Sequence, residues 1–256
     1  MRGGLGDGGI VMQRTTPNSK RSAACVGLFA SVFLATASLA DENKPPIQLP
    51  DGGQVVSKFE NQVLSKACRA KREWVEVVGI PEPTAARLIN AHIRKEITVG
   101  RKLRDANCPG PEDDETYEYM NSVEVSGVWH RFLGTQTKIC FPGGTGRCVL
   151  SCEVFDLQTG HRDDLKKHVD PSARPALDAL LNKQAETDKF PIGYLPLKSK
   201  EAAICLDSKG IRVVYVNDSG SATTSVTIDP AQISKYFRLP TDLASDLSNP
   251  GNKAAP

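Results

Sequence analysis

The chain has 256 residues, 32 Lys+Arg against 30 Asp+Glu, and 39% hydrophobic residues. That length and composition fit one large globular domain or two small ones. A formal net charge of +2 excludes a polybasic chain built to attract nucleic acid or an anionic membrane surface.

Residues 1–22 are basic and irregular, with Arg2, Arg14, Lys20 and Arg21 against one acid, Asp7. Ala23–Ala40 is uncharged, has an apolar centre at Val26–Leu34, and ends Ser38-Leu39-Ala40. Asp41-Glu42-Asn43-Lys44-Pro45 is abruptly polar. A basic start, an apolar centre and small residues at −3 and −1 make the pattern of a secretory signal peptide cleaved after Ala40. The apolar centre is shorter than the roughly 20 residues a spanning helix needs, which leaves an uncleaved anchor as the weaker alternative. Met12 is a second possible start, and Cys25 precedes the apolar centre, so it is not read as a lipidation site. Cleavage leaves 216 residues with 28 basic and 29 acidic groups, a formal charge of −1. A periplasmic or secreted location is expected, with no nucleic-acid partner and no membrane-spanning segment in the mature chain.

Cysteine usage agrees with export. The mature part keeps Cys68, Cys108, Cys140, Cys148, Cys152 and Cys205, an even number that suits disulfides in an oxidising compartment. Cys140 and Cys148 flank Phe141-Pro142-Gly143-Gly144-Thr145-Gly146-Arg147, a run rich in turn residues. Sequence alone does not choose among the possible pairings of six cysteines. If that run is a hairpin tip, Cys140 and Cys148 face each other at bridging distance, and one completion of the set pairs the rest as Cys68–Cys108 and Cys152–Cys205. The rival reading is a zinc site of Cys140, Cys148, Cys152 and a histidine, without the C-x2-C spacing such sites favour.

In chain order, Asp41–Gln54 reads as a flexible leader. Val55–Leu64 and Lys71–Val78 read as strands, the second β-branched and stopped by Gly79-Ile80-Pro81-Glu82-Pro83. Thr84 is placed to cap a helix to about Ile97, with Ala85, Leu88, Ile89, Ile93 and Ile97 on one face. Pro109–Glu115 is an acidic loop. Tyr117–Leu157 is strand-like, with turns near Ser126-Gly127 and Pro142–Gly146, and Asp156-Leu157-Gln158-Thr159-Gly160 is a turn. Asp170-Pro171 precedes a helix presenting Ala173, Ala176, Leu177, Leu180, Leu181 and Ala185. Ala202–Leu206 and Ile211–Val216 form a strand pair, Thr223–Ile228 is a further strand, and Asp229-Pro230 starts a short helix. Thr241–Pro256 reads as a loose tail. The fold class is therefore α+β, with antiparallel sheets, two main helices and a short C-terminal helix. The expected organisation is a signal peptide (1–40), a leader and first strand (41–69), an N-terminal α+β subdomain (70–160), a C-terminal subdomain (161–240) and a tail (241–256).

The order of segments resembles the extracytoplasmic region of RsiV-type anti-sigma factors, a module also found beside peptidoglycan deacetylase domains. Gly79-Ile80-Pro81 leads to Leu88-Ile89-Asn90, matching the family's strand, turn and helix with an Ile-Asn pair. Gly143-Gly144 matches its hairpin turn, Asp156–Gly160 its Asp-Leu-x-Thr-Gly turn, and Cys205–Tyr215 its Gly-turn strand ending in an aromatic. The resemblance covers roughly residues 70–240. It departs at Thr145-Gly146, where the family has Ala-His, and at Asn217–Ser221, where it has a Pro-Tyr-rich segment. Both departures fall in loops, where partners are chosen. The resemblance implies a binding protein whose partner is an envelope protein, a lysozyme-like enzyme first, or a peptidoglycan fragment.

The chemistry-bearing residues add little catalytic signal. His92 reads as a helix-face residue and His130 as a strand residue. His161 and His168, with Asp163 and Asp164 between them, read as a solvated turn before a weak metal site. Asp113-Asp114-Glu115 reads as a solvated acidic loop before a catalytic carboxylate pair. No G-x-S-x-G, H-E-x-x-H or G-x-x-x-x-G-K-[ST] motif occurs in the sequence. No catalytic residue, cofactor or metal ligand is therefore assigned. The first reading is a non-catalytic envelope binding protein contacting its ligand through Phe141, Gly143, Gly144 and Arg147. An aromatic and an arginine on a bridged tip are the residue types of interface hot spots. The alternatives are an envelope hydrolase or deacetylase-related enzyme, and an inhibitor or immunity protein against a muramidase.

Overall fold

The computed structural model describes residues 44–65, 68–105, 117–140, 148–187, 202–216 and 223–248. The segment read as a signal peptide, Cys108, the segment 109–115 read as an acidic loop and the segment Phe141–Arg147 read as a hairpin tip lie outside the described residues.

Seven strands follow one another in space as they do in the chain. They are β1 (Ile47–Gln48), β2 (Gln54–Ser65), β3 (Cys68–Val78), β4 (Tyr117–Trp129), β5 (Phe132–Cys140), β6 (Cys148–Asp156) and β7 (Arg162–Asp163). All neighbours are antiparallel except β3 and β4, which run parallel. The reason is α1 (Pro83–Asp105), a crossover helix that returns the chain to the end where β3 began. The expected antiparallel sheets are thus interrupted at one parallel pair. Beyond the large sheet lie α2 (Arg174–Thr187), β8 (Ala202–Asp207), β9 (Gly210–Val216), β10 (Thr223–Ile228), α3 (Ile233–Tyr236) and α4 (Thr241–Ser248). The last three strands form a second, antiparallel sheet in the order β10-β9-β8. The fold is α+β, with a large, mostly antiparallel sheet and four α-helices among the described residues.

α1 opens at Pro83, whose fixed φ suits the first helical position, and the Glu82 carbonyl accepts from Ala86 N–H at 3.2 Å. Thr84 therefore lies inside the helix and is not its cap. Ala85, Ile89, Ile93 and Ile97 recur every fourth residue and are buried against Val77, Val123, Leu133 and Phe155, while Leu88 is exposed. Fully burying an isoleucine such as Ile89 contributes about 1.5–3 kcal/mol.

Consecutive strand residues point to opposite faces. Leu133 and Phe155 lie in the core under α1, whereas Phe132 and Val154 lie in the core shared with the second sheet. The large sheet is thus covered on both sides. β8 is too. Ala203 and Cys205 pack toward Leu150 of β6, and Ile204 and Leu206 pack with Leu177 of α2 and Leu243 of α4. That explains five successive buried residues in β8. β7 belongs to the large sheet, and Trp129, Phe132 and Val154 share a core with β8, so the expected 70–160 and 161–240 segments interlock.

Two disulfides lie among the described residues. Cys140–Cys148, with Cα atoms 4.1 Å apart, closes the open end of the β5–β6 ladder, and Cys152–Cys205, at 4.9 Å, joins β6 to β8. Cys68 is also disulfide-bonded. The alternative of a zinc site at Cys140, Cys148 and Cys152 is ruled out, since all three sulfurs are committed to bridges. On a chain-entropy model the 53-residue separation of Cys152 and Cys205 is worth about 4 kcal/mol and the 8-residue separation about 2.5 kcal/mol. The bridges fit an oxidising, extracytoplasmic compartment. No helix among the described residues is long and apolar enough to cross a membrane.

Three local expectations are corrected. Ser126-Gly127 is not a turn but an irregularity inside β4, and the turn is His130-Arg131, between the paired Trp129 and Phe132. His130 accordingly leaves the strand and takes φ 47°. α2 starts at Arg174, later than expected, because Asp170 first makes a separate turn, accepting from Ser172 N–H at 2.9 Å and Ser172 O–H at 2.7 Å. The segment read as the start of a loose tail is α4, held by buried Leu243 and Leu247 one turn apart.

β3 loses β4 as a neighbour after Glu73, yet Val77 is buried. The Asn90 side chain of α1 replaces the missing strand. Its Oδ1 accepts from Val77 N–H and its Nδ2 donates to Val77 C=O, both at 2.8 Å. Asn90→Ala leaves a buried donor and acceptor unmade, so chemical denaturation is expected to show a loss of about 1–3 kcal/mol; a loss below about 0.5 kcal/mol would mean that water replaces the amide without penalty.

Candidate functional site

The β5–β6 ladder pairs continuously from Phe132↔Asp156 to Cys140↔Cys148. At the bridged end β2 finishes and β3 and β4 begin, because Ser65 pairs Cys68, Cys68 pairs Tyr117 and Met120 pairs Cys140. Three large apolar side chains are exposed there, Val63 at 75%, Val149 at 55% and Met120 at 39%. By register, Val63 and Met120 share a face with Lys71 and the bridge, and Val149 takes the other face. Lys71 is ion-paired with Glu118 at 2.6 Å. The tip residues themselves, Phe141, Gly143, Gly144 and Arg147, lie outside the described residues. β6 pairs β7 only at Val154 and Phe155, so its outer edge from Cys148 to Glu153 has no strand neighbour among the described residues. Beside that edge is a charged cleft of about 180 Å³ lined by Ser151, Glu153, Arg162, Asp163 and Lys166 with Ala203 of β8.

The histidines fall in four different settings. His168 Nε2 is 2.5 Å from Asp163 Oδ1 and its Nδ1 is 3.1 Å from the Arg238 carbonyl oxygen, which ties β7 to the chain after α3. His161 is exposed in the turn, its backbone N–H donating to Thr159 Oγ1 at 3.3 Å. His168 is thus engaged with Asp163, while His161 stands in solvent. His130 is exposed at the β4–β5 turn. His92 is half-buried on the inner side of α1, with Phe155 edge-on at 5.4 Å.

His92 has company that the sequence reading missed. Its Nε2 is 2.6 Å from Glu153 Oε2 of β6 and 3.9 Å from Glu96 Oε1, one helical turn away. Arg162 of β7 holds the other Glu153 oxygen at 2.5 Å. Burial pushes the Glu153 carboxyl up, but His92 and Arg162 outweigh it and hold the group below its ordinary value. The legible signal was His92-x3-Glu96 on a helix with an inner apolar stripe; the position of Glu153 required the register of β6.

No protein-family model matches the chain, and no curated protein matches it in sequence. The fold is similar to solved bacterial structures. One is a member of the DUF3298 family from Bacteroides fragilis NCTC 9343, at TM-score 0.55 and 15% identity, covering 79% of this chain and 100% of that one. Another is a DUF3298 family protein from Pseudomonas aeruginosa PAO1, at TM-score 0.50 and 9% identity, covering 77% and 98%. At such identities the likeness shows the fold alone.

A carboxyl held low in the folded state adds stability that is present above its unfolded value, near 4.5, and is lost as pH falls through the folded value. The melting-temperature gap between the unsubstituted protein and Glu153→Gln should therefore be open at neutral pH and narrow below about pH 4.5. A gap that widens in acid would contradict this account of Glu153.

Proposed function

We propose that this chain is an exported, non-catalytic binding module of the cell envelope, and that it recognises a protein ligand, a lysozyme-like muramidase first, through the sheet end closed by Cys140–Cys148. The observation that carries the reading is the grouping of Val63, Met120 and Val149 in solvent around that bridge. Isolated exposed apolar residues are ordinary, but three at one end of one sheet mark a contact region. A bridged ladder arrives at a partner already ordered, which lowers the cost of association. The location is supported by the disulfides, and the class of partner by the resemblance of the 70–240 segment to the RsiV-type module. Inhibition of the bound enzyme would be a consequence of the same contact. A peptidoglycan fragment is the second ligand that the resemblance suggests.

Calorimetric titration of the disulfide-bonded protein with lysozyme-type muramidases and with soluble muropeptides tests the reading. Binding to a muramidase is expected, at least tenfold weaker in Val149→Asp and Met120→Asp, about 1.4 kcal/mol per decade, with melting temperature nearly unchanged. Absence of binding to either ligand class, or turnover of peptidoglycan by the protein, would overturn it.

A further inference from the structure

The cluster on the inner side of α1 is unrelated to the sheet end just discussed. His92 and Glu96 are four residues apart on α1, so they project from one face, and Glu153 reaches them from β6. One ligand atom from each, His92 Nε2 and a carboxylate oxygen of Glu96 and Glu153, lies within 4.8 Å of the other two, and all three residues are half-buried. Among the described residues this is the one trio of its kind.

Two features set it apart from an ordinary ion pair. His92 Nε2 is shielded from solvent, yet no group accepts a hydrogen bond along its N–H direction, although Glu153 Oε2 is only 2.6 Å away. The close approach brings two potential ligand atoms to one place without a hydrogen bond to hold them. Glu153 is also divided between tasks: Arg162 holds Oε1 at 2.5 Å and so turns Oε2 toward His92. A hydrogen-bonded group behind a ligating carboxylate fixes its orientation.

We propose that His92, Glu96 and Glu153 bind one divalent transition-metal ion, Zn²⁺ by preference, which clips α1 to β6. Neutral imidazole and two carboxylates carry two negative charges, which the dication neutralises. Nitrogen with oxygen is a donor set for zinc and its first-row neighbours, whereas Mg²⁺ and Ca²⁺ favour oxygen alone. Bonds of about 2.0–2.2 Å around a tetrahedral ion place ligand atoms about 3.3 Å apart. The observed 2.6 and 3.9 Å straddle that value, so small side-chain rotations bring the trio into range. Three protein ligands leave a fourth position for water or for an oxygen donor from a partner.

The test is calorimetric titration of the purified protein, freed of any affinity tag, with ZnCl₂ at neutral pH. One equivalent is expected to bind, at least tenfold more weakly in Glu96→Gln and in Glu153→Gln. Zinc is also expected to raise the melting temperature of the unsubstituted protein and to leave that of Glu153→Gln unchanged. Among the described residues the ion pair of Glu96 is the 3.9 Å contact with His92, so Glu96→Gln is expected to keep the fold and to separate ligation from stability. No zinc-dependent heat or melting shift, or an affinity unchanged in Glu96→Gln, overturns the proposal.

Discussion

The structure depends on the seating of one strand end against two glycines. At Gly127 of β4 a Cβ would lie 2.6 Å from the Asp207 carbonyl carbon, and at Gly134 of β5 one would lie 2.6 Å from the Leu206 oxygen. Only residues without a side chain let the end of β8 come this close to the large sheet. Once there, its backbone is satisfied from below. Ser126 donates its hydroxyl to the Leu206 oxygen at 2.5 Å, the Trp129 indole N–H donates to the Asp207 oxygen at 2.7 Å, and Ser208 N–H donates to the Ser126 oxygen at 3.1 Å. Gly127 pairs directly with Gly134, beside the irregularity of β4, so the notch is built from both strands at once.

From that seat the rest of the second layer follows. β8 lies over β6, which places Cys152 and Cys205 at bridging distance, and β9 presents Arg212 to Gln136 of β5. The outer face of β8 then receives α2 and α4, and Arg131 in the β4–β5 turn ion-pairs with Asp242 at the start of α4. On the other face α1 is tied to β3 by the Asn90 amide and to β6 by the His92–Glu153 contact. β4, β5 and β6 take part in both arrangements, and β5 and β6 carry the bridged end. Their paired, bridged end projects from a base packed on two sides, and this is why the proposed binding region can be stiff while remaining open to a partner.

Much of this was legible in the sequence where one residue type has one local cause. The Asp156–Gly160 turn is an example. Gly160 has φ 71°, and a Cβ there would lie 2.8 Å from Ala85 Cα, so glycine answers both the turn and the approach of α1. The β8–β9 hairpin was readable from Asp207-Ser208-Lys209-Gly210, where Asp207 accepts from Lys209 N–H at 3.0 Å and Gly210 has φ 134°. What was not legible depends on long-range placement. α4 is short and polar, and only burial of Leu243 and Leu247 makes it a helix. Gly127 invited a turn reading because its true neighbour, Asp207, is 80 residues along the chain. Glu153 gave no signal beside His92, since helix and strand meet only through the sheet register.

The central structural claim is that both sheets form one cooperative body through the β8 seat. Differential scanning calorimetry of the disulfide-bonded protein tests it directly. A single transition is expected, with calorimetric and van't Hoff enthalpies equal within error. Two resolved transitions, or a van't Hoff enthalpy near half the calorimetric one, would show that the second sheet melts independently and that the seat does not unite them.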